Sequence, residues 1–200
     1  MKNVFRHLTT QVGFSITELI TTVAVIATVA AVATPQLINV VDSMRLGMAE
    51  RDVERELQFA RLKSVSVNRP MRVRFDCPAA GQLRAVELIG TPAAPDPNDA
   101  DTVPGRCSEA TYPYSPTGAD RSRLTRPNND GPVRYLQPGT TFAAKQTLEF
   151  WPDGSVHANI GGGANPWPNI GTAGVTITLS RKGKTKNIKV NGLGKIIMDR

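Results

Sequence analysis

Gly13-Phe14-Ser15-Ile16-Thr17-Glu18-Leu19, with the apolar run behind it as far as Pro35, decides how the rest of this chain is read. From Phe14 to Thr34 there is no Lys or Arg, and Glu18 is the one charge. About twenty helical residues at roughly 1.5 Å each reach about 30 Å, the depth of a bilayer's hydrocarbon core. Thr21, Thr22 and Thr28 interrupt the apolar stretch, and their hydroxyls can bond back to the preceding helical turn at little cost in lipid. An ordinary secretory signal would be cut behind the run, near Ala31 or Ala33, and a plain anchor would stay in place. Neither has a use for a carboxylate at Glu18, and an unpaired one in lipid is costly. The acid is therefore expected to meet a specific opposite charge.

The order of these residues carries a resemblance. Gly13 followed by Phe14, Glu18 four residues later, an apolar helix and then Pro35 resemble the class III signal of type IV pilins and type II secretion pseudopilins. In that family a membrane peptidase cuts behind the glycine and methylates the new amino terminus. The resemblance implies cleavage between Gly13 and Phe14, an N-methylated Phe14, and a Glu18 that pairs with the amino terminus of a neighbouring subunit during assembly. Residues 1–13 would be the prepilin leader, and Lys2, Arg6 and His7 suit a flank on the cytoplasmic side.

Behind the apolar run, residues 36–69 read as an amphipathic continuation of the same helix. Leu37, Val40, Val41, Met44, Met48, Val53, Leu57, Ala60, Leu62 and Val65 recur at three- and four-residue steps. Asp42, Arg45, Glu50, Arg51, Asp52, Glu54, Arg55, Glu56, Arg61 and Lys63 fall between them and read as a solvated face. Pro35 removes a backbone donor and predicts a bend, and Asn68-Arg69-Pro70 predicts the helix end. The rest, residues 70–200, suffices for one domain. With 17 Gly, 15 Pro and aromatics at 6%, it is expected to be loop-rich and β-dominated.

From Met71 the period changes to two. Met71–Phe75 reads as a strand, Leu83–Ile89 as its partner, and Ala80-Gly81-Gln82 as the turn between them. Gly90–Gly105 is a loop by composition. Asp96, Asn98, Asp99 and Asp101 have oxygen ligands for a hard cation, but the offsets of a calcium loop are missing, so a solvated acidic loop is expected. Tyr112–Pro132, with Arg121, Arg123 and Arg126, is irregular. Val133–Leu136 reads as a short strand before a turn at Pro138-Gly139. Leu148–Val156 reads as strand, tight turn and strand around Pro152-Asp153-Gly154. Gly161–Gly171 lacks the context of a phosphate loop and reads as flexible. Gly174–Leu179 and Lys186–Val190 form a hairpin across Arg181-Lys182-Gly183-Lys184, and Gly194–Met198 is a last short strand.

Cys77 and Cys107 are the only cysteines. In a domain outside the inner membrane they are expected to form a disulfide that restrains the Pro/Asp loop. No nucleophile–base pair, metal-ligand set or phosphate cradle stands out, so no enzyme activity, catalytic residue, metal or cofactor is expected.

The second half carries a further resemblance. "LEFWPDGSV" and "VTITLSRKGKTKNIKVNGLGKI", with "QFARLKSVSVNRPMRVRF" upstream, resemble the GspH/FimT family of minor pilins and type II secretion minor pseudopilins. The fold it implies is α+β: a long N-terminal helix, membrane-spanning over 14–35, packed on an antiparallel β-sandwich head over 70–200. The function implied is that of a minor pilin in a type IV pilus, serving assembly or the filament tip. The same architecture serves a pseudopilus of type II secretion. The implied location is the bacterial inner membrane, single-pass with the C-terminal domain in the periplasm, and then the filament. Implied partners are major and minor pilins or pseudopilins, the prepilin peptidase, the inner-membrane assembly platform and the bilayer. Some FimT-like pilins bind DNA for uptake through a basic C-terminal Gly-Arg-x-Arg motif. The matching place here reads Gly194-Lys195-Ile196-Ile197, with one of the two basic residues. Arg181, Lys182, Lys184, Lys186, Lys189 and Lys195 nevertheless cluster about one hairpin, and the chain's net charge is +7. Such charges on one face would bind phosphates without regard to sequence; the alternative is a lysine-guarded sheet edge.

Overall fold

A computed structural model describes residues 13–114, 129–161 and 165–198; most of the leader, and Arg121, Arg123 and Arg126, lie outside the described residues. The fold is α+β: one long helix and two antiparallel sheets. Contacts divide the chain into two compact units, Met1–Val41 and Asp42–Arg200. The helix α1 spans Ile16–Val67 and continues through Pro35 without a break in its assignment. Its end is built as expected. Asn68 takes the left-handed conformation at φ 52°, and the Arg69 amide donates to the Ser64 carbonyl at 3.2 Å, closing the last turn.

Within the second unit, the described residues form nine strands: β1 (Met71–Phe75), β2 (Gln82–Glu87), β3 (Arg134–Tyr135), β4 (Thr141–Ala144), β5 (Leu148–Phe150), β6 (Val156–Ala158), β7 (Val175–Arg181), β8 (Lys184–Val190) and β9 (Ile196–Met198). They form a five-stranded sheet ordered β3-β2-β1-β5-β6 and a four-stranded sheet ordered β4-β7-β8-β9. β4 is the strand that periodicity did not reveal. It is four residues long and carries a register shift between Phe142 and Ala144, which breaks the alternation that would have marked it. The β7–β8 hairpin turns on Lys182 and Gly183 alone, because Arg181 already pairs with Lys184. Both turn residues have positive φ, 46° and 78°, the backbone that matches strand twist in a two-residue hairpin.

The core lies between α1 and both sheets. Leu46, Ala49, Val53, Leu57 and Ala60 of the helix join Val73, Leu148, Phe150, Ile177, Leu179 and Ile188 in one cluster. Each fully buried Leu or Val contributes about 1.5–3 kcal/mol relative to exposure. This stripe differs from the expected one. Met44, Met48, Leu62 and Val65 are exposed, while Asp42, Glu50 and Glu56, expected on the solvated face, are buried. The reason is that the sheet presents cations where the helix presents these acids. Arg181 Nε lies 2.9 Å from Asp42, Lys186 Nζ 3.4 Å from Glu50, and Arg134 Nε 3.1 Å from Glu56.

The loop after β2 also differs from expectation. Asp99 is buried rather than solvated, and its carboxylate accepts the amides of Ile89, Gly90 and Asp96. That fold brings the loop over the polar face of β1, so that all five β1 residues are buried. Arg72 donates to Glu149 at 2.6 Å and to the Asp99 carbonyl at 2.7 Å, and its guanidinium lies 4.0 Å from the Trp167 ring centre. Arg74 donates to the carbonyls of Asp101 and Val103. The Cys77–Cys107 disulfide, with Cα atoms 5.3 Å apart and a sequence separation of 30, fastens this cover at its end. Its loop length corresponds to about 3.6 kcal/mol of unfolded-state restriction. Cys77→Ser should therefore lower unfolding stability by roughly 3–4 kcal/mol and speed proteolysis within residues 90–107. Denaturant melts and limited proteolysis check this; an unchanged cleavage pattern would remove the fastening role.

Candidate functional site

Two sets of residues are candidates, one at the start of α1 and one around the β7–β8 hairpin. At the first, Gly13 and Phe14 precede the helix; Phe14 is 83% exposed, and a side chain on Gly13 would meet nothing within 4 Å. Backbone at this junction is open to another protein, as peptide-bond cleavage requires. Glu18 lies in the first helical turn. A carboxylate there is favoured by the unpaired amides at the helix start. The Leu19 amide donates to the Ser15 carbonyl at 3.0 Å, and the Ser15 and Thr17 hydroxyls are 2.8 Å apart. The polar interruptions are satisfied internally. The hydroxyls of Thr21, Thr22, Thr28 and Thr34 donate to the carbonyls of Glu18, Leu19, Val25 and Ala30, at 2.7–2.9 Å. What remains facing outward is hydrocarbon: Leu19, Ile20, Val23, Ile26, Val29 and Val32 are all exposed. A helix with every turn apolar and its hydroxyls tied back to its own backbone suits lipid or other helices rather than water. α1 is the one described helix long and apolar enough to cross a membrane.

The second set is divided by the structure. Arg181, 4% exposed, donates to Asp42 and to the Pro138 carbonyl. Lys182 lies 3.0 Å from the other Asp42 oxygen, Lys184 Nζ bonds the Ser43 hydroxyl at 2.7 Å, and Lys186 pairs with Glu50. These four side chains fasten the hairpin to α1. Lys189 and Lys195 are exposed, Lys189 on β8 and Lys195 in the turn before β9. A cation already paired with a carboxylate has less to offer a phosphate, so the six residues do not make one uniform basic face.

Electrostatics follow from these contacts. The Lys182 and Arg181 bonds hold the Asp42 carboxyl below the usual aspartate range, against an opposing effect of burial. Burial pushes the Glu56 carboxyl up, against the pull of Arg134. Asp42 lies beyond the apolar run, outside any membrane-spanning stretch.

The structure also assembles a pair that the sequence reading passed over. Ser155 Oγ is 2.9 Å from His157 Nε2 and 2.6 Å from Asp153 Oδ1, while His157 Nδ1 donates to the Trp167 carbonyl at 2.8 Å. The ring stacks on Trp151, centres 3.8 Å apart. The spacing Asp-Gly-Ser-x-His after a strand was the available signal. Both imidazole nitrogens are engaged and the ring is buried, so the cluster braces the β5–β6 turn. The Ser155 hydroxyl and amide together hold the Asp153 carboxyl below its ordinary range.

Comparison of the chain with protein-family models, curated proteins and solved structures finds no match.

Because the folded Asp42 carboxyl titrates lower than the unfolded one, its contribution to stability is present above the unfolded value near pH 4 and is lost as pH falls through the lower folded value. Asp42→Asn should therefore melt below wild type at pH 7, and the gap should narrow as pH falls below about 4. Thermal melts across that range check it; a gap independent of pH would mean that the ionised tie contributes nothing.

Proposed function

We propose that this chain is a minor pilin of the GspH/FimT kind, a structural subunit inserted in the bacterial inner membrane and drawn from there into a type IV filament. In this reading residues 14–35 span the membrane and the β-rich unit lies in the periplasm. The prepilin peptidase removes the leader at Gly13 and methylates Phe14. The freed amino group of one subunit then meets Glu18 of its neighbour, which gives the lone acid its partner on leaving lipid. The observation that carries the reading is a conjunction on one helix. An open Gly13–Phe14 junction and an acid in the first turn precede an apolar surface, and the C-terminal half of the same helix is the core element of an antiparallel head. A cleaved signal sequence would gain nothing from that acid or from joining its helix to a folded core. A type II secretion pseudopilus would use the same parts in the same way, and proteins that copurify with the filament distinguish the two.

Mass spectrometry of the membrane-extracted protein should find N-methylated Phe14 as the first residue. Glu18→Ala should be cut normally but drop out of sheared filaments by roughly tenfold or more, the loss expected when a buried charge pair is broken. An intact leader, trimming beyond Ala33, or undiminished incorporation of the variant would overturn the proposal.

A further inference from the structure

β9 is the edge strand of its sheet, paired with β8 on one side and with no described strand on the other. The register decides which of its backbone groups are unused. The Asn191 amide donates to the Lys195 carbonyl, which makes Asn191–Lys195 a hydrogen-bonded antiparallel pair, and Lys189–Ile197 the next. Ile196 and Met198 occupy the alternate, non-bonded positions opposite Val190 and Ile188, so their N–H and C=O groups point away from β8.

Beside that edge lies an open groove of about 850 Å³, lined on one side by Leu62 and Val65 of α1 and on the other by Pro152, Gly154 and Ile196. Leu62 is 71% exposed and Leu193, in the loop leading into β9, 73%. Leu62 and Val65 on the groove wall, with the outward backbone groups of β9 beside Ile196, form a surface fitted to a partner. The loop leading into β9 is held by hydrogen bonds. Asn191 Oδ1 accepts the Leu193 and Lys195 amides, and Arg61 Nη2 donates to the Leu193 carbonyl at 3.2 Å. Gly194, at φ +73°, sits so close to Arg61 that a Cβ would come within 2.6 Å of the guanidinium. The rim carries two cations, Arg61 and Lys195, against one carboxylate, Asp153, which is turned to Ser155.

We propose that this edge receives an extended segment of a different protein, added antiparallel or parallel to β9. Its apolar side chains at alternate positions would enter the groove between α1 and β9, and a carboxylate would face Arg61 or Lys195. Backbone pairing supplies affinity and the groove selects side chains, as in other cases of strand addition. The rim's excess of cations favours a partner that brings a carboxylate to the contact. The inference holds for either kind of filament and does not rest on the Glu18 reading.

The test uses the full chain in phosphatidylcholine nanodiscs and a labelled peptide of about eight residues, alternating valine and threonine with a glutamate at each end. Saturable binding is expected, with slowed hydrogen exchange at the Ile196 and Met198 amides. Met198→Pro removes one outward donor at an edge position that tolerates proline, and should weaken binding roughly tenfold or more. Leu62→Glu alters an exposed helix side chain, leaves the sheet untouched, and should weaken binding similarly. Absence of saturable binding would overturn the proposal. So would equal binding by both variants, or equal binding of a peptide with the same charges but proline at alternate positions. Self-association that excludes the peptide and is relieved by Met198→Pro would assign the edge to a second copy instead.

Discussion

Three carboxylates on the inward side of α1, each met by a cation from the sheets, set how the folded head is put together. Asp42 meets Arg181 and Lys182, Glu50 meets Lys186, and Glu56 meets Arg134. Hydrophobic burial along Leu46, Val53 and Leu57 provides the driving force, but it is nearly indifferent to small rotations of the helix. The ion pairs are not. A buried carboxylate left without its partner is more costly than the pair is favourable, so misplaced arrangements are penalised more than the correct one is rewarded. Specificity of docking comes from the polar contacts, and stability from the apolar ones.

The same division of labour appears over β1. Arg72 and Arg74 would face water on a bare two-layer head. Here the loop between β2 and β3 covers them and satisfies them largely with backbone carbonyls. Arg106, itself buried, donates to the Glu87 carbonyl and to Asp130, and its guanidinium lies 4.6 Å from the Tyr112 ring centre. A segment that is poor in apolar residues is thus organised by guanidinium groups, which offer several donors in a fixed plane. The disulfide joins Cys107 within that segment to Cys77, just beyond β1. Polar cover of this type has no hydrophobic periodicity to announce it.

This explains what was legible in the sequence and what was not. The strands with clean alternation, β1, β2, β7 and β8, and the turns marked by Asp153-Gly154 and Lys182-Gly183, were readable because local chemistry alone fixes them. The apolar run and its lone acid were readable for the same reason. The face that α1 buries was not. Val53, Leu57 and Ala60 of the expected stripe do turn inward, but only the three-dimensional placement of Arg134, Arg181 and Lys186 shows that Leu46 and Ala49, rather than Met44, Met48 and Leu62, join them. The basic cluster was legible as a cluster, but sequence proximity did not reveal that Asp42, Ser43 and Glu50 had a claim on four of its members. Long-range pairing of charges separated by more than a hundred positions leaves no local trace.

The spacing of those acids has an evolutionary corollary. A helix turns by about 100° per residue, so adding or deleting one position between Asp42 and Glu56 would swing every later side chain a quarter-turn or more away from its cation. This stretch should accept exchanges of one exposed residue for another, yet resist any change in its length. The acidic loop at residues 92–96, outside any helix, is under no such phase constraint, so diverging copies of the chain should accept insertions there more readily.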